Sequence, residues 1–482
     1  MIELTPHLDN EKKEPLYVQL YHYIREEIQT GNIAPGVKLP SKRKLAAHLG
    51  ISQNTIETAY QQLNAEGYVK SELRKGVYVK KLAGDLYPYS SRISFHNKKV
   101  TKNHDEQYKF DFSHGKVDLE HFPYSTWRKL TVQSLYEENS EIFFNGDPKG
   151  DTNLREEIAQ YVFQSRGVTC SPEQIMIGAG TQYLLRLLTM LIGKESIYAM
   201  EDPGFHRTRA VFKHENVKTI SIPLDEEGIS LKHLEESRAN AVYITPSHQF
   251  PFGTIMPINR RLELLKWAEA KGRYIIEDDY DGEFRYIGKP IPSLQGLDFK
   301  DSVIYLGTFS KSLIPSIRLS YAVLPTALVN QYDQHLTIYK QTVSRLHQHT
   351  LFLFMKNGHW KSHLNKMRNV YRKKQHMLVA SIKKYIGNKA TIIGEKSGLH
   401  ILLQVHNQMS ELELIKNALK KKVKIYPTSI YYEQYKADKP MVLLGFGGLS
   451  ETEIDEGIKL LKDAWFNEKD ENTVQSMNDA DQ

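Results

Sequence analysis

Apolar and polar positions follow two different rhythms along this chain. Over Leu16 to Thr30, the residues Leu16, Leu20, Tyr23 and Ile28 recur at helical spacing, which predicts an amphipathic helix closed by Gly31. A second helix is expected from Ser41, its N-cap, to Leu49, and Gly50 makes the turn that follows. Ser52 caps a third helix whose inner face is Ile56, Tyr60 and Leu63, and Gly67 stops it. Two extended runs, "YVKS" and "GVYVKK", flank Glu72 to Lys75 and predict a β-hairpin. Helix, helix, turn, helix and wing make a winged helix-turn-helix over residues 1–80.

The rhythm lapses over 81–107, a polar stretch without sustained periodicity that is expected to be a linker. From 108 to 465 helical segments such as "GTQYLLRLLTMLIG" and "INRRLELLKWAEAKG" alternate with the short apolar runs "SIYAM", "AVYITP", "YIIED" and "SVIYLG". That alternation predicts an α/β fold with a mainly parallel sheet and helices on both faces, whose ligands sit at the carboxyl ends of the strands. Residues 466–482 carry five acids, one lysine and no apolar face, and are expected to be a disordered tail.

A length of 482 residues fits roughly two to four domains of about 150 residues. Hydrophobic content of 40% and charged content of 25% are those of a globular protein. The single cysteine, Cys170, excludes an intrachain disulfide and a thiolate metal cluster. With no apolar leader at the N-terminus and no run of about 18 apolar residues, a cytoplasmic protein without a membrane partner is expected.

The net charge of +7 acquires meaning only when it is localised. Residues 38–80 hold eight Lys or Arg against three acids, so the basic excess falls on the head. Ser41, Lys42 and Arg43 open the second helix, Gln53, Asn54 and Thr55 open the third, and Arg74, Lys75 and Gly76 form the tip of the wing. Those are the places from which side chains reach phosphates and base edges of double-stranded DNA. The same stretch resembles the GntR family of bacterial regulators, matching its "LPS-x-R-x-LA-x-x-LG-x-S-x-x-T-x-x-x-AY-x-x-L-x-x-EGY" pattern almost throughout. Gln53 departs from the arginine frequent in that family, so its operator sequences do not transfer.

In the body, "YIIEDDYDGEF" places Asp278 and Tyr280 on one side of a strand and Glu277 and Asp279 on the other. Alone, this acidic cluster reads as a solvated strand end or a Mg²⁺ site. Lys311 follows 33 residues on, just after the next strand, with Arg318 seven residues beyond it. A carboxylate, a phenol, a lysine and an arginine at neighbouring strand ends suit pyridoxal phosphate: lysine for a Schiff base, carboxylate for the pyridine nitrogen, phenol for the ring oxygen, arginine for phosphate. "GAGTQYLL" at 178–185 adds a glycine-rich entry to a helix N-terminus, where phosphate finds backbone donors.

The body resembles fold-type I aminotransferases, and the whole resembles the MocR/GabR subfamily of GntR regulators, through "IGAGTQ", "EDPG", "TPSHQFPFGTIMP", "IIEDDYD" and "GTFSKS". The resemblance implies a smaller C-terminal α+β subdomain, Lys311 as the Schiff-base lysine, Asp278 at the pyridine nitrogen and Tyr280 at the ring hydroxyl. It implies Thr308, Arg318, Gly180, Thr181 and Gln182 around the phosphate, and Phe205 stacked on the ring. It also implies a head-to-tail homodimer that senses pyridoxal phosphate or a small amine and repositions its DNA heads. Two departures bear on activity. Phe250 stands where aminotransferases carry an asparagine that touches the cofactor, and Ile430 stands where the GABA-responsive relative carries a carboxylate-gripping arginine, leaving Arg207 as the candidate effector residue. A regulator is therefore expected, with an aminotransferase bearing an accessory DNA-binding head as the alternative.

Overall fold

The computed structural model describes residues 4–82, 108–286, 291–437 and 439–466. The expected linker and tail lie outside these, apart from Lys81, Leu82 and Phe466. The chain divides into two compact units, Met1–His104 and Asp105–Gln482.

In the first unit, α1 (Leu16–Gln29), α2 (Lys42–Leu49) and α3 (Gln53–Ala65) precede a hairpin of β1 (Val69–Glu72) and β2 (Gly76–Val79). The caps are those expected. Ser41 Oγ accepts from the Lys44 N–H and Ser52 Oγ from the Thr55 N–H, and Gly50 takes the left-handed conformation that ends α2. The packed face of α1 is Leu20, Tyr21, Ile24 and Ile28, whereas Leu16 and Tyr23 are only half-buried. The expected Leu20 and Ile28 lie in this face and Tyr23 packs against its edge, while Tyr21 and Ile24 widen it, the Tyr21 hydroxyl donating to Glu66 at 2.6 Å. Ile56, Ala59, Tyr60 and Leu63 of α3 complete a core shared with Val69 and Val79 of the hairpin.

The second unit opens with β3 (Phe110–Asp111) and builds an eight-stranded sheet from β4 (Ile175–Gly178), β5 (Ile197–Asp202), β6 (Lys218–Asp225), β7 (Gly228–Ile229), β8 (Ala241–Ile244), β9 (Tyr274–Asp279), β10 (Val303–Thr308) and β11 (Ser320–Val323). Their spatial order is β4-β11-β10-β9-β8-β5-β6-β7. The central strands β10, β9, β8, β5 and β6 run parallel, and β11 is antiparallel to both of its neighbours. All four residues of β4, β8 and β11 are buried, the pattern of a sheet covered on both faces. The 27-residue helix His359–Tyr385 leads to a smaller α+β portion containing β12 (Ala390–Ile393), β13 (His400–Val405), β14 (Val423–Lys424), β15 (Tyr426–Pro427) and β16 (Met441–Gly445). Four of these form a sheet in the order β12-β13-β16-β15, while β14 pairs with β3. The helix Glu451–Trp465, with a capping box at Ser450 and Glu453, packs its apolar face into the same core.

Candidate functional site

On the head, Arg43 and Lys44 of α2 and Gln53 and Asn54 at the start of α3 are exposed, and Thr55 is half-buried. Ser41 is occupied as a cap. Lys42 is not a free charge: its Nζ pairs with Glu57 Oε1 at 2.5 Å, tying α2 to α3. At the wing tip Arg74 is exposed in the left-handed region (φ 62°), and Lys75 lies 3.7 Å from Glu72. A side chain at Gly76 would bring its Cβ within 2.7 Å of Lys38 Cε, so glycine allows the wing to lie against the chain that precedes α2.

In the second unit the strand ends gather the predicted chemistry. In the parallel pair β9 and β10, Leu306 lies opposite Asp278 and Gly307 opposite Asp279, so Thr308 and the Lys311 loop leave the sheet beside Asp278 and Tyr280. The acidic cluster is neither solvated nor shared. Glu277 accepts the backbone N–H groups of Leu294 and Gln295, and Asp279 pairs with buried Arg166 at 2.6 Å and accepts the Tyr305 hydroxyl, both on the face away from Asp278. Asp278 accepts instead from the hydroxyl of Tyr243 on β8. Burial pushes the Asp278 carboxyl up to about 7, so a cation beside it would be strongly favoured.

Lys311 donates to the carbonyl oxygen of His114 at 2.5 Å. Burial pulls its amine down to about 8, opposed by Asp281 and reinforced by Arg207, so near neutrality a usable fraction is uncharged and nucleophilic. Burial, reinforced by Lys311 and Arg207, likewise drops the His114 imidazole to about 3, so it stays neutral. Arg207, in the first turn of the helix His206–His214, is exposed yet close enough to Lys311, His114 and Tyr431 for its charge to act on all three. Ile430 is 46% exposed and brings no charge to this side of the site.

Gly180 caps the helix Thr181–Ile192 at φ 92°, and a Cβ there would fall 2.2 Å from the Arg318 guanidinium. Arg318, itself in the left-handed region at φ 50°, is thereby held against the N-terminus that Thr181 and Gln182 open. Thr308 Oγ1 accepts from Ser320 Oγ at 2.8 Å and from the Ser310 N–H at 3.2 Å. The Ser310 hydroxyl, next to Lys311, is buried without a partner among the described residues. At the other end, Phe205 stacks on Phe250 with ring centroids 4.0 Å apart and planes within 8°, and Tyr280 meets Phe205 edge-on at 4.9 Å. Phe250 is 1% exposed and offers no polar atom at its position.

These residues fit pyridoxal phosphate: a lysine amine of lowered basicity, a buried carboxylate that accepts from a phenol, an arginine at a glycine-opened helix N-terminus, and an orphaned serine hydroxyl beside them. Three partners escape a reading of the sequence. Tyr243 sits inside the plain apolar run "AVYITP", His114 lies 197 positions from Lys311, and His248 sits in "TPSHQFPFG" with no periodic signal. Tyr243 alone leaves a trace, as the one polar side chain near the end of an otherwise apolar strand.

Comparison with known proteins places both halves. Residues 16–79 match the family of bacterial regulatory proteins, gntR family, and residues 108–461 match aminotransferase class I and II. The uncharacterized HTH-type transcriptional regulator YdeL of Bacillus subtilis is 47% identical over 464 residues, covering 96% of this chain and 100% of that protein. The probable rhizopine catabolism regulatory protein MocR of Rhizobium meliloti is 30% identical over 473 residues, 95% of each chain. The α-aminoadipate aminotransferase LysN from Thermus thermophilus, solved with N-(5'-phosphopyridoxyl)-L-leucine, superposes with a TM-score of 0.65 at 26% identity, over 74% of this chain and 93% of that one. Matched along nearly its whole length by regulators and over its body by aminotransferases, the chain belongs to the MocR/GabR subfamily of gntR-family transcriptional regulators.

Proposed function

We propose that this chain is a pyridoxal-phosphate-dependent transcriptional regulator that binds operator DNA through its winged head and uses its aminotransferase-like unit to sense the cofactor, a small amino compound, or both. The observation that carries the reading is the register of β9 and β10, which sets Asp278 opposite Leu306 with Lys311 in the loop that follows β10, together with Arg318 against Gly180. When bound, the cofactor supplies an electrophilic carbonyl for a primary amine and an electron-withdrawing ring. The protein's own part is to present an amine of lowered basicity at Lys311 Nζ, hold a carboxylate at Asp278 for the ring nitrogen, and receive the phosphate among Thr308, Ser310, Arg318 and the N–H groups of Thr181 and Gln182. Arg207 is the group we assign to an effector's carboxylate, since it is exposed and its charge reaches Lys311.

Turnover is a secondary reading that the site disfavours, because Phe250 supplies no hydrogen bond where aminotransferases have an amide. A homodimer is supported by an exposed apolar stretch, Tyr124, Val132, Leu135, Tyr136, Phe143 and Phe144, with Phe143 65% and Phe144 73% accessible. A patch of this kind on an isolated chain marks a surface for a second copy. The deciding experiment is footprinting of the DNA upstream of the protein's own gene, with and without pyridoxal phosphate and a panel of amines, alongside an assay for oxo-acid formation. Ligand-dependent occupancy without oxo acid is the expected result. Ligand-independent occupancy with rapid oxo-acid formation would replace the regulator by the enzyme.

A further inference from the structure

His248 lies outside every role assigned above, yet it is among the most confined polar side chains near the site. Its ring is 2% exposed, and its Nδ1 faces both oxygens of Asp281 at 3.0 Å and the Tyr280 hydroxyl at 2.8 Å. The ring is clamped by backbone: a Cβ at Gly398 would stand 2.0 Å from its Cε1, and one at Gly253 2.9 Å from its Nε2. His400 on β13 packs 5.3 Å from it, centroid to centroid, and keeps its own Nε2 on the Pro251 carbonyl at 3.1 Å. Asp281 is 3% exposed and, besides His248, acts electrostatically on Lys311, Tyr280 and Asp278.

A single ring nitrogen cannot serve both neighbours in the same way. If Nδ1 carried no proton, it would accept from Tyr280 O–H and leave two carboxylate oxygens of Asp281 buried opposite a lone pair. With the proton on Nδ1, the ring donates to Asp281, the Tyr280 oxygen takes a share as acceptor, and the Tyr280 proton must point elsewhere. The second arrangement avoids the repulsion and is the one a buried carboxylate enforces. The geometry points to His248 and Asp281 as a positioning pair that fixes the imidazole proton on Nδ1 and so turns the Tyr280 hydroxyl proton toward the cofactor's ring oxygen. This rests on the reading of Lys311 and Tyr280 as cofactor residues. His248 itself touches neither cofactor nor effector in this assignment; it acts through Tyr280.

The consequence is readable in the spectrum of the bound cofactor. A phenol that donates to the ring oxygen stabilises that oxygen as an anion and weakens its hold on the proton of the lysine-linked nitrogen. Losing the donor therefore raises the pH at which the visible band converts. Groups that also face the pair are Asp278, Lys311, His400, His114 and Arg207, and they are unchanged in the variants below, so differences between variants isolate the pair.

The test uses the full chain loaded with pyridoxal phosphate, titrated from acid to alkaline pH while the visible absorption is followed. Tyr280→Phe is expected to raise the midpoint by about one pH unit, the scale of one hydrogen bond to a charged group. His248→Phe should raise it in the same direction and by a similar amount, and the double variant should be no worse than Tyr280→Phe alone. His248→Asn, whose side-chain N–H stands where ring Nδ1–H stood, should restore a midpoint near wild type and guards against a merely misfolded His248→Phe. Additive shifts in the double variant, or a wild-type midpoint in His248→Phe with a displaced one in Tyr280→Phe, would overturn the inference and leave the cofactor reading intact. A wild-type chain that takes up cofactor without any visible band would overturn both.

Discussion

The head and the body of this chain present their candidate ligand-binding groups in opposite physical settings. On the head, Arg43, Lys44, Gln53, Asn54 and Arg74 are exposed, close together in sequence, and carried on short elements whose ends are fixed by local caps. In the body, Asp278, Tyr280, Lys311 and their partners sit in surroundings where burial shifts their protonation, and they are drawn from segments far apart in the chain. Surface charge gives an association that is additive, screened by salt and tolerant of single changes. A desolvated site gives one in which each group depends on its neighbours, so that single changes are felt strongly and pH matters.

The sharpest test of that contrast is Lys311→Ala. Loss of the covalent anchor should abolish the visible band of bound pyridoxal phosphate altogether, while operator affinity persists and no longer responds to cofactor or amines, because a ligand shifts an equilibrium only through differential affinity. Absorbance and footprinting on the same preparation decide it. A mutant that still responds fully would give the sensing role to another group.

Next in size is Asp278→Asn, which should weaken cofactor binding by about 1.5–3 kcal/mol through loss of a charge-assisted contact. It should also act on the cofactor-free protein with a defined sign. The native carboxyl is raised to about 7, so its contribution to stability is present below the ordinary aspartate range and is lost as pH rises through about 7. Thermal unfolding of cofactor-free Asp278→Asn should therefore show stabilisation relative to wild type that is larger at pH 8 than at pH 5. The reverse trend would mean that Asp278 is already paired with a cation.

On the head, Arg43→Ala should cost about 1–3 kcal/mol of operator affinity if it reads a base, or lower the salt slope by about one if it meets phosphate. Affinity measured across a salt series separates the two, and no change in either removes Arg43 from the interface. The smallest effect is expected for Glu57→Gln, which breaks the part-exposed pair with Lys42. Stability should fall by less than about 1 kcal/mol in denaturant unfolding. DNA affinity should hold or rise, since Lys42 is released for phosphate. A large loss of stability would show that this surface pair behaves like the buried contacts of the body.

The head was almost wholly legible because its signals are local: a serine before each of two helices, a glycine after α2, a hairpin with its turn at Leu73–Lys75. What local spacing left out is that Tyr21 and Ile24 also belong to the packed face of α1, where the Tyr21 hydroxyl bonds to Glu66 45 positions away. In the body Asp278, Tyr280, Lys311 and Arg318 stand out in the sequence as candidates, since strand ends and their motifs can be read directly. It did not supply what those groups rest on. Nothing in "AVYITP" ties Tyr243 to Asp278, and nothing in "TPSHQFPFG" ties His248 to Asp281.

By itself, then, the sequence determined element type, element ends and the residue types able to hold a phosphorylated aldehyde, because caps, periodicity and turn chemistry act within a few residues. Only the tertiary structure decided which side chains would face one another: Tyr243 with Asp278 across 35 positions, His248 with Asp281 across 33, Lys311 with His114 across 197. For the first two pairs the physical reason is the strand order β4-β11-β10-β9-β8-β5-β6-β7, which sets β8 beside β9, while His114 comes from the chain after β3, which pairs with β14 outside that sheet. Burial between the helical layers then shifts the protonation of whatever that order has brought together.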